Sequence, residues 1–181
     1  MEQKTQGYLY LIGFAACIPM ANWLIENVGV YCDSPGPCMI PVAPGILAPS
    51  GVLMVGLALV LRDLVQRMLG FKWALAAIFV GAFLSGLVAS PTLVFASIAA
   101  FILSETMDLA VYTPLQKKGL VLAVFVSSVV GLVADSVVFL WFAFGSFDFI
   151  EGQIIGKALM VLASLPFIHW IRRREVFHQE G

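Results

Sequence analysis

Charge is what this sequence has least of. Only 12% of its 181 residues are Asp, Glu, Lys or Arg, while 61% are hydrophobic and the mean hydropathy is +0.98. Soluble domains carry roughly twice that share of charge, so a sizeable soluble domain is excluded and a membrane protein is indicated. A formal net charge of −1 and a pI near 6.1 leave no basic patch for nucleic acid. Cysteine is scarce as well, with three residues and no CxxC or Cys/His spacing that would hold zinc. The two histidines, His169 and His178, stand near the C-terminus and form no H-E-x-x-H. A G-x-x-x-x-G-K-[ST] loop is missing, so the chain cannot hydrolyse ATP in the P-loop manner, and there is no G-x-S-x-G nucleophile elbow. Asp108 and Asp135 lack the Gly-Asp surroundings of an intramembrane aspartyl hydrolase. Heptads, internal repeats and low-complexity tracts are absent too. No cofactor, metal or enzymatic activity is therefore expected, and transport is the default for apolar helices that carry buried charge.

What is present is a series of long apolar stretches bounded by Pro, Gly or charge. They predict an all-α polytopic membrane protein with six transmembrane helices, at approximately 8–28, 50–69, 73–89, 91–112, 120–145 and 154–171. Backbone groups in hydrocarbon must bond within their own segment, which is why each stretch reads as a helix. The whole chain forms one transmembrane domain, followed by a short tail over 172–181. Lys4, the Arg67/Lys72 pair, Lys117 with Lys118, and Arg172, Arg173 and Arg174 all fall on one side. The opposite loops hold only Asp33, Asp148 and Glu151, so both termini are expected in the cytoplasm. The N-terminal stretch has no A-x-A cleavage pattern and is expected to stay attached as the first span.

The first outer loop, Gly29 to Pro49, holds Pro35, Pro37, Pro41, Pro44 and Pro49, which argue for irregular extended chain rather than helix. Met39–Ala48 is nonetheless largely apolar, so the loop either folds back as a lid or lies at the headgroups. Cys32 and Cys38 share this outer side, where a disulfide could persist. Cys17, alone in the first helix, reads as packing.

Ionisable residues inside the bilayer cost on the order of 2.5–3.5 kcal/mol on insertion scales, so they face protein or a wet cavity. Glu105 and Asp108 are spaced i,i+3 and share a face with Ser97, Phe101 and Tyr112. Asp108 is alternatively an interface residue; Glu105 is too deep for that. Asp135 stands in the middle of the fifth helix, on one face with Ser128 and Gly131, where the glycine permits close approach. It marks either a functional site or a structural ion pair. Lys157 is its natural cationic partner unless it snorkels outward. Asp63 has Arg67 four residues on, a spacing that suits a local salt bridge. Asn22 and Glu26 stand one turn apart on the first helix. Counting deep groups, Asp63, Glu105, Asp108 and Asp135 face Arg62 and Lys157, a carboxylate-rich set suited to adjacent N–H donors or a cation. Fourteen Phe and four Trp, including Trp141 and Phe142 beyond Asp135, are enough to stack a flat heterocycle.

These residues in this order resemble the vitamin-uptake transporters, also called queuosine precursor transporters. The resemblance runs from Asn22 to Trp170 through Arg62-Asp63-Leu64-Val65-Gln66-Arg67-Met68-Leu69-Gly70 and Ser104-Glu105-Thr-Met-Asp108-Leu-Ala-Val-Tyr112. It continues through Gly131-Leu-Val-Ala-Asp135-Ser136 to Gly156-Lys157. The chain departs from the family pattern at Glu105, where Gln is expected, and at Leu132, where Asn is expected. The resemblance implies a fold similar to the substrate-binding subunits of energy-coupling-factor transporters. It also implies uptake of 7-cyano and 7-aminomethyl 7-deazaguanine across a bacterial inner membrane. The implied pocket is Asp135, Asp108, Glu105 and Lys157, with Asn22 and Asp63 in support. Two rivals stay open: a carrier or binding subunit for another vitamin-like solute energised by a separate ATPase, and a structural membrane protein. Gly81/Ser85 and Gly152/Gly156 suit internal packing, or else a second copy or an energising subunit.

Overall fold

The structure is a computed structural model that describes residues 2–32, 37–89 and 93–179, with side chains described for 4–32, 37–89 and 93–171. Asp33 and the side chains of Arg172, Arg173 and Arg174, used above for orientation, lie outside the described residues, as does the side chain of His178. Among the described residues the chain forms six helices: α1 (Glu2–Asn27), α2 (Val52–Leu69), α3 (Phe71–Val88), α4 (Val94–Leu115), α5 (Leu120–Phe144) and α6 (Ile150–Gln179). Between α1 and α2 stand three strands, β1 (Tyr31–Cys32), β2 (Cys38–Ala43) and β3 (Ile46–Pro49).

Five of these helices, α1 and α3 to α6, are long and apolar enough to cross a membrane. Large side chains such as Phe79, Phe83, Phe95 and Leu162 stand exposed on their outer faces, as a lipid-facing surface requires. The remaining helix, α2, carries Arg62, Asp63 and Arg67 within its eighteen residues. Its length of about 27 Å is close to the hydrocarbon thickness. It escapes the cost of its charges by position, because it packs against α1, α3, α4, α5 and α6 and buries Arg62 and Asp63 completely.

The turns are short and glycine-made. Gly70, at φ +94, joins α2 to α3 directly, a backbone region that side chains avoid. Gly145, at φ +65, ends α5 in the left-handed conformation, its N–H donating to Trp141 O at 3.1 Å. α6 begins at Ile150, one turn earlier than the apolar run suggests, because Glu151 and Gln153 fall inside its first turn rather than in the loop.

The two ends of the bundle differ. At the end bearing Lys4, Arg67, Lys72, Lys117 and Lys118, the helices close on a solid core of Leu64, Tyr112, Leu120, Val124, Ile168 and Ile171. At the other end the proline-rich loop is more regular than its composition suggests. It forms an antiparallel sheet in the order β1-β2-β3, with Tyr31 opposite Met39, Cys32 opposite Cys38, and Met39 opposite Pro49. Pro41 lies beyond the part of β2 that β1 covers, beside an irregularity between Pro41 and Ala43, where a missing donor does least harm. Cys32 and Cys38 are joined by a disulfide that ties β1 to β2. The sheet folds back on the helices as a lid, burying Cys38, Met39 and Ala48, while Ser50 Oγ donates to Leu24 O of α1 at 2.7 Å.

The small residues serve this internal packing. A Cβ on Gly152 would stand 2.0 Å from Leu47 O, and one on Gly156 would stand 2.5 Å from Val52 Cγ2. At Gly81 the neighbour is the Phe101 ring, 2.4 Å away. Gly152→Ala is therefore expected to push β3 off α6 and lower stability by about 1–3 kcal/mol, because the obstacle is backbone. Gly86→Ala meets only the end of the Ile98 side chain and should cost much less. Thermal unfolding of the detergent-purified variants measures the difference.

Candidate functional site: a cavity under the sheet

Beneath the sheet lies a cavity of about 420 Å³, a volume typical of small-molecule sites. The helices and β3 line it: Asn22 and Glu26 come from α1, Pro49 from β3, Val55 and Leu59 from α2, Ser85 from α3, Ser97 and Phe101 from α4, and Phe139 from α5. Glu105, Asp135, Gln153 and Lys157 add further charged and amide groups.

The wall on the α5–α6 side is organised by Lys157. Its Nζ donates to Asp135 Oδ2 at 2.6 Å, Ser136 Oγ at 2.8 Å and Gln153 Oε1 at 2.5 Å. Three acceptors saturate the three donors of an ammonium, so a fully buried lysine is held without an unmet hydrogen. Gln153 is one helical turn before Lys157, which brings the two side chains together. The Asp135 side chain keeps 12% of its surface exposed, more than any other charged partner in the interior ion pairs. Asn22 donates its amide to Ile18 O of its own helix at 3.0 Å.

The floor is Glu105, and behind it stands a second cluster built on Arg62. The guanidinium donates Nε to Glu105 Oε2 at 2.9 Å and pairs through Nη1 with Asp63 Oδ1 at 2.8 Å. Nη2 is in contact with Asp108 Oδ1, and the guanidinium carbon lies 5.9 Å from the centre of the Tyr112 ring. Ser127 Oγ donates to Asp63 Oδ2 at 2.9 Å, and Gln66 Nε2 donates to Thr113 Oγ1 at 3.1 Å. Gly131 makes the close approach of α4 and α5 possible, since a Cβ there would sit 3.0 Å from the Asp108 carboxylate and 2.9 Å from Leu59.

The six residues singled out from the sequence thus divide. Asn22, Glu105, Asp135 and Lys157 line the cavity, whereas Asp63 and Asp108 do not. The i,i+3 spacing does put Glu105 and Asp108 on one face, but a turn of helix separates them in depth. Arg62 takes Asp108 into the layer below the floor. The partner of Asp63 is likewise the adjacent Arg62, together with Ser127, rather than a purely local pair with Arg67. Trp141 and Phe142 point outward, 56% and 49% exposed, and the rings that line the cavity are instead Phe101, Phe139 and Phe144. Arg62 and Gln153 carry more of the geometry than their sequence context suggests. The i,i+4 spacing of Gln153 and Lys157 was the available signal for the second, obscured by a helix start placed at 154.

A bundle of apolar helices around a lidded cavity, its largely apolar wall carrying a few charged groups, defines a multi-pass membrane protein with room for a small molecule. Residues 82–171, from within α3 into α6, match the family described as "Putative vitamin uptake transporter". Comparison with curated proteins and with solved structures yields no match.

Removing Arg62 strands three buried carboxylates. Arg62→Met is therefore expected to cost about 3–5 kcal/mol, as breaking a buried ion pair does. Adding Asp108→Asn should restore part of that loss, because one of the stranded charges goes with it. A double-mutant cycle on melting temperature reads the coupling.

Proposed function

We propose that this protein imports 7-deazaguanine bases, the 7-cyano and 7-aminomethyl precursors of queuosine, without ATPase activity of its own. On this reading it lies in a bacterial inner membrane with both termini cytoplasmic and the sheet outside. The observation that carries the proposal is the coexistence, in one cavity, of Glu105, Asp135, the Lys157–Gln153 pair and the rings of Phe101 and Phe139. A guanine-like edge offers N1–H and an exocyclic NH₂ side by side, which a carboxylate accepts together. The carbonyl of the same edge needs a donor, which Lys157 supplies when the solute replaces Asp135 as one of its three acceptors. The flat base stacks on a ring of the cavity wall. Asp135 is the best candidate for the accepting carboxylate, because its side chain keeps surface in the cavity while it is held by Lys157.

The basic residues at the closed end support the orientation, since they gather in cytoplasmic loops. The cavity then faces outward, as the loading state of an importer does. A second reading has one observation in its favour: the matching family is described by vitamin uptake, which leaves room for another vitamin-like solute and for a separate energising ATPase.

Cells unable to make the precursor test the proposal through uptake of the labelled 7-cyano base. Wild-type protein should restore uptake, and Asp135→Asn should reduce it about ten- to hundredfold, the equivalent of one charge-assisted hydrogen bond. Uptake by Asp135→Asn equal to wild type would remove that residue from the mechanism. Melting-temperature shifts of the purified protein against purines, deazapurines and vitamins separate the two readings.

A further inference from the structure

The Arg62 cluster is unbalanced. One guanidinium faces Asp63, Glu105 and Asp108, so full ionisation leaves two negative charges uncompensated at side chains no more than 3% exposed. The carboxylates repel one another, Asp108 acting on both Asp63 and Glu105, and Asp135 adding to the repulsion on Glu105. Uncompensated charge of that density does not persist in a dry interior; it is neutralised by a bound ion or by protons.

Two further observations choose between these. Ser128 Oγ is buried without a hydrogen-bond partner on the packed α4–α5 face, and the Asp108 carboxylate has Asp63 and Ser127 as close side-chain neighbours besides Arg62. Two carboxylates side by side are costly when both are ionised, and protonation turns one of them from an acceptor into a donor for the other. The three carboxylates are also gathered on the guanidinium itself. Each takes a different nitrogen of the guanidinium, and among the described residues no group of three acidic, His or Cys side chains could hold a metal ion.

We propose that this cluster is a proton-binding site and that the proton is taken up with the solute. The proposal rests on the cavity being the solute site. Glu105 belongs to both layers, lining the cavity and touching Arg62, so a proton entering from the sheet side reaches Asp108 and Asp63 through it. The proton adds to a carboxylate oxygen, leaves toward the closed end, and draws on the gradient across the membrane, so no other reactant is needed. The charged and titratable groups facing the cluster are Arg62 and Asp63 from α2, Tyr112 from α4 itself, and Asp135 from α5 with Lys157 of α6 behind it. From α1 the cavity receives Cys17 and Glu26, and from α3 only Ser85, which does not titrate.

Infrared spectroscopy of the full chain in liposomes tests the site without a solute. A protonated carboxylic acid band is expected at neutral pH. It should shift in D₂O, vanish as pH rises, and lose intensity in Asp108→Asn or, if that variant fails to fold, in Glu105→Gln. The exposed-loop variant Asp148→Asn should keep it. No such band in wild type, or one untouched by both cluster variants, overturns the proposal. Uptake of the 7-cyano base into the same liposomes should rise several-fold when the outside is acidified, and indifference to that gradient overturns the coupling. If the base neither enters nor shifts the melting temperature, the solute assignment falls while the band still decides the proton site.

Discussion

A guanidinium cut off from water cannot be left alone. Arg62 is wholly buried, and everything about the placement of α2 follows from the need to surround it. The other five helices are apolar enough to face lipid, so any of them tolerates an outer position. α2 does not, and it becomes the element on which all the others pack. Its three carboxylate partners come from α2 itself and from α4, while Ser127 of α5 fixes the rotamer of Asp63. One buried cation thereby sets the depth and rotation of three helices, because each ion pair has to be met at bonding distance.

The layered arrangement has a mechanical consequence. Below Glu105 the bundle is filled by Leu64, Tyr112, Leu120 and Val124; above it the helices part around the cavity, and the disulfide-tied sheet closes the top. Glycines at the seams of α5 and α6 allow this, since Gly131 admits Asp108 and Gly152 admits the backbone of β3. The closed half gives the bundle its cohesion, and the open half is free to be shaped by polar residues that a solid core would reject.

The helical architecture was legible in the sequence because long apolar runs have few alternatives in a bilayer. The pairing of Asp135 with Lys157 was legible for a similar reason, as two deep opposite charges seek each other. Local spacing misled at Asp63, where Arg67 offered an i,i+4 partner and the buried neighbour Arg62 proved to be the hub. It misled again at Asp108, since a shared helix face does not fix depth and the height of Arg62 decided which carboxylate reached the cavity. The sheet was hidden by its prolines. Their effect on strand pairing depends on which residues β1 covers, and that is a tertiary property. Trp141 and Phe142 show the limit of counting aromatic residues: a helix between lipid and cavity presents rings to both sides, and composition does not say which.

The two ion networks differ in what they can release. Lys157 has three acceptors, so giving up Asp135 leaves it bonded to Ser136 and Gln153, and the freed carboxylate already has surface in the cavity. Exchanging that partner for a solute strands no charge in the interior. Arg62 has no such freedom, because its partners have no cavity to turn to except through Glu105. Recognition therefore belongs to the upper network and cohesion to the lower, with Glu105 shared between them. A ligand that changes the charge seen by Glu105 changes the balance around Arg62, and this is the shortest physical route by which filling the cavity is felt at the closed end of the bundle.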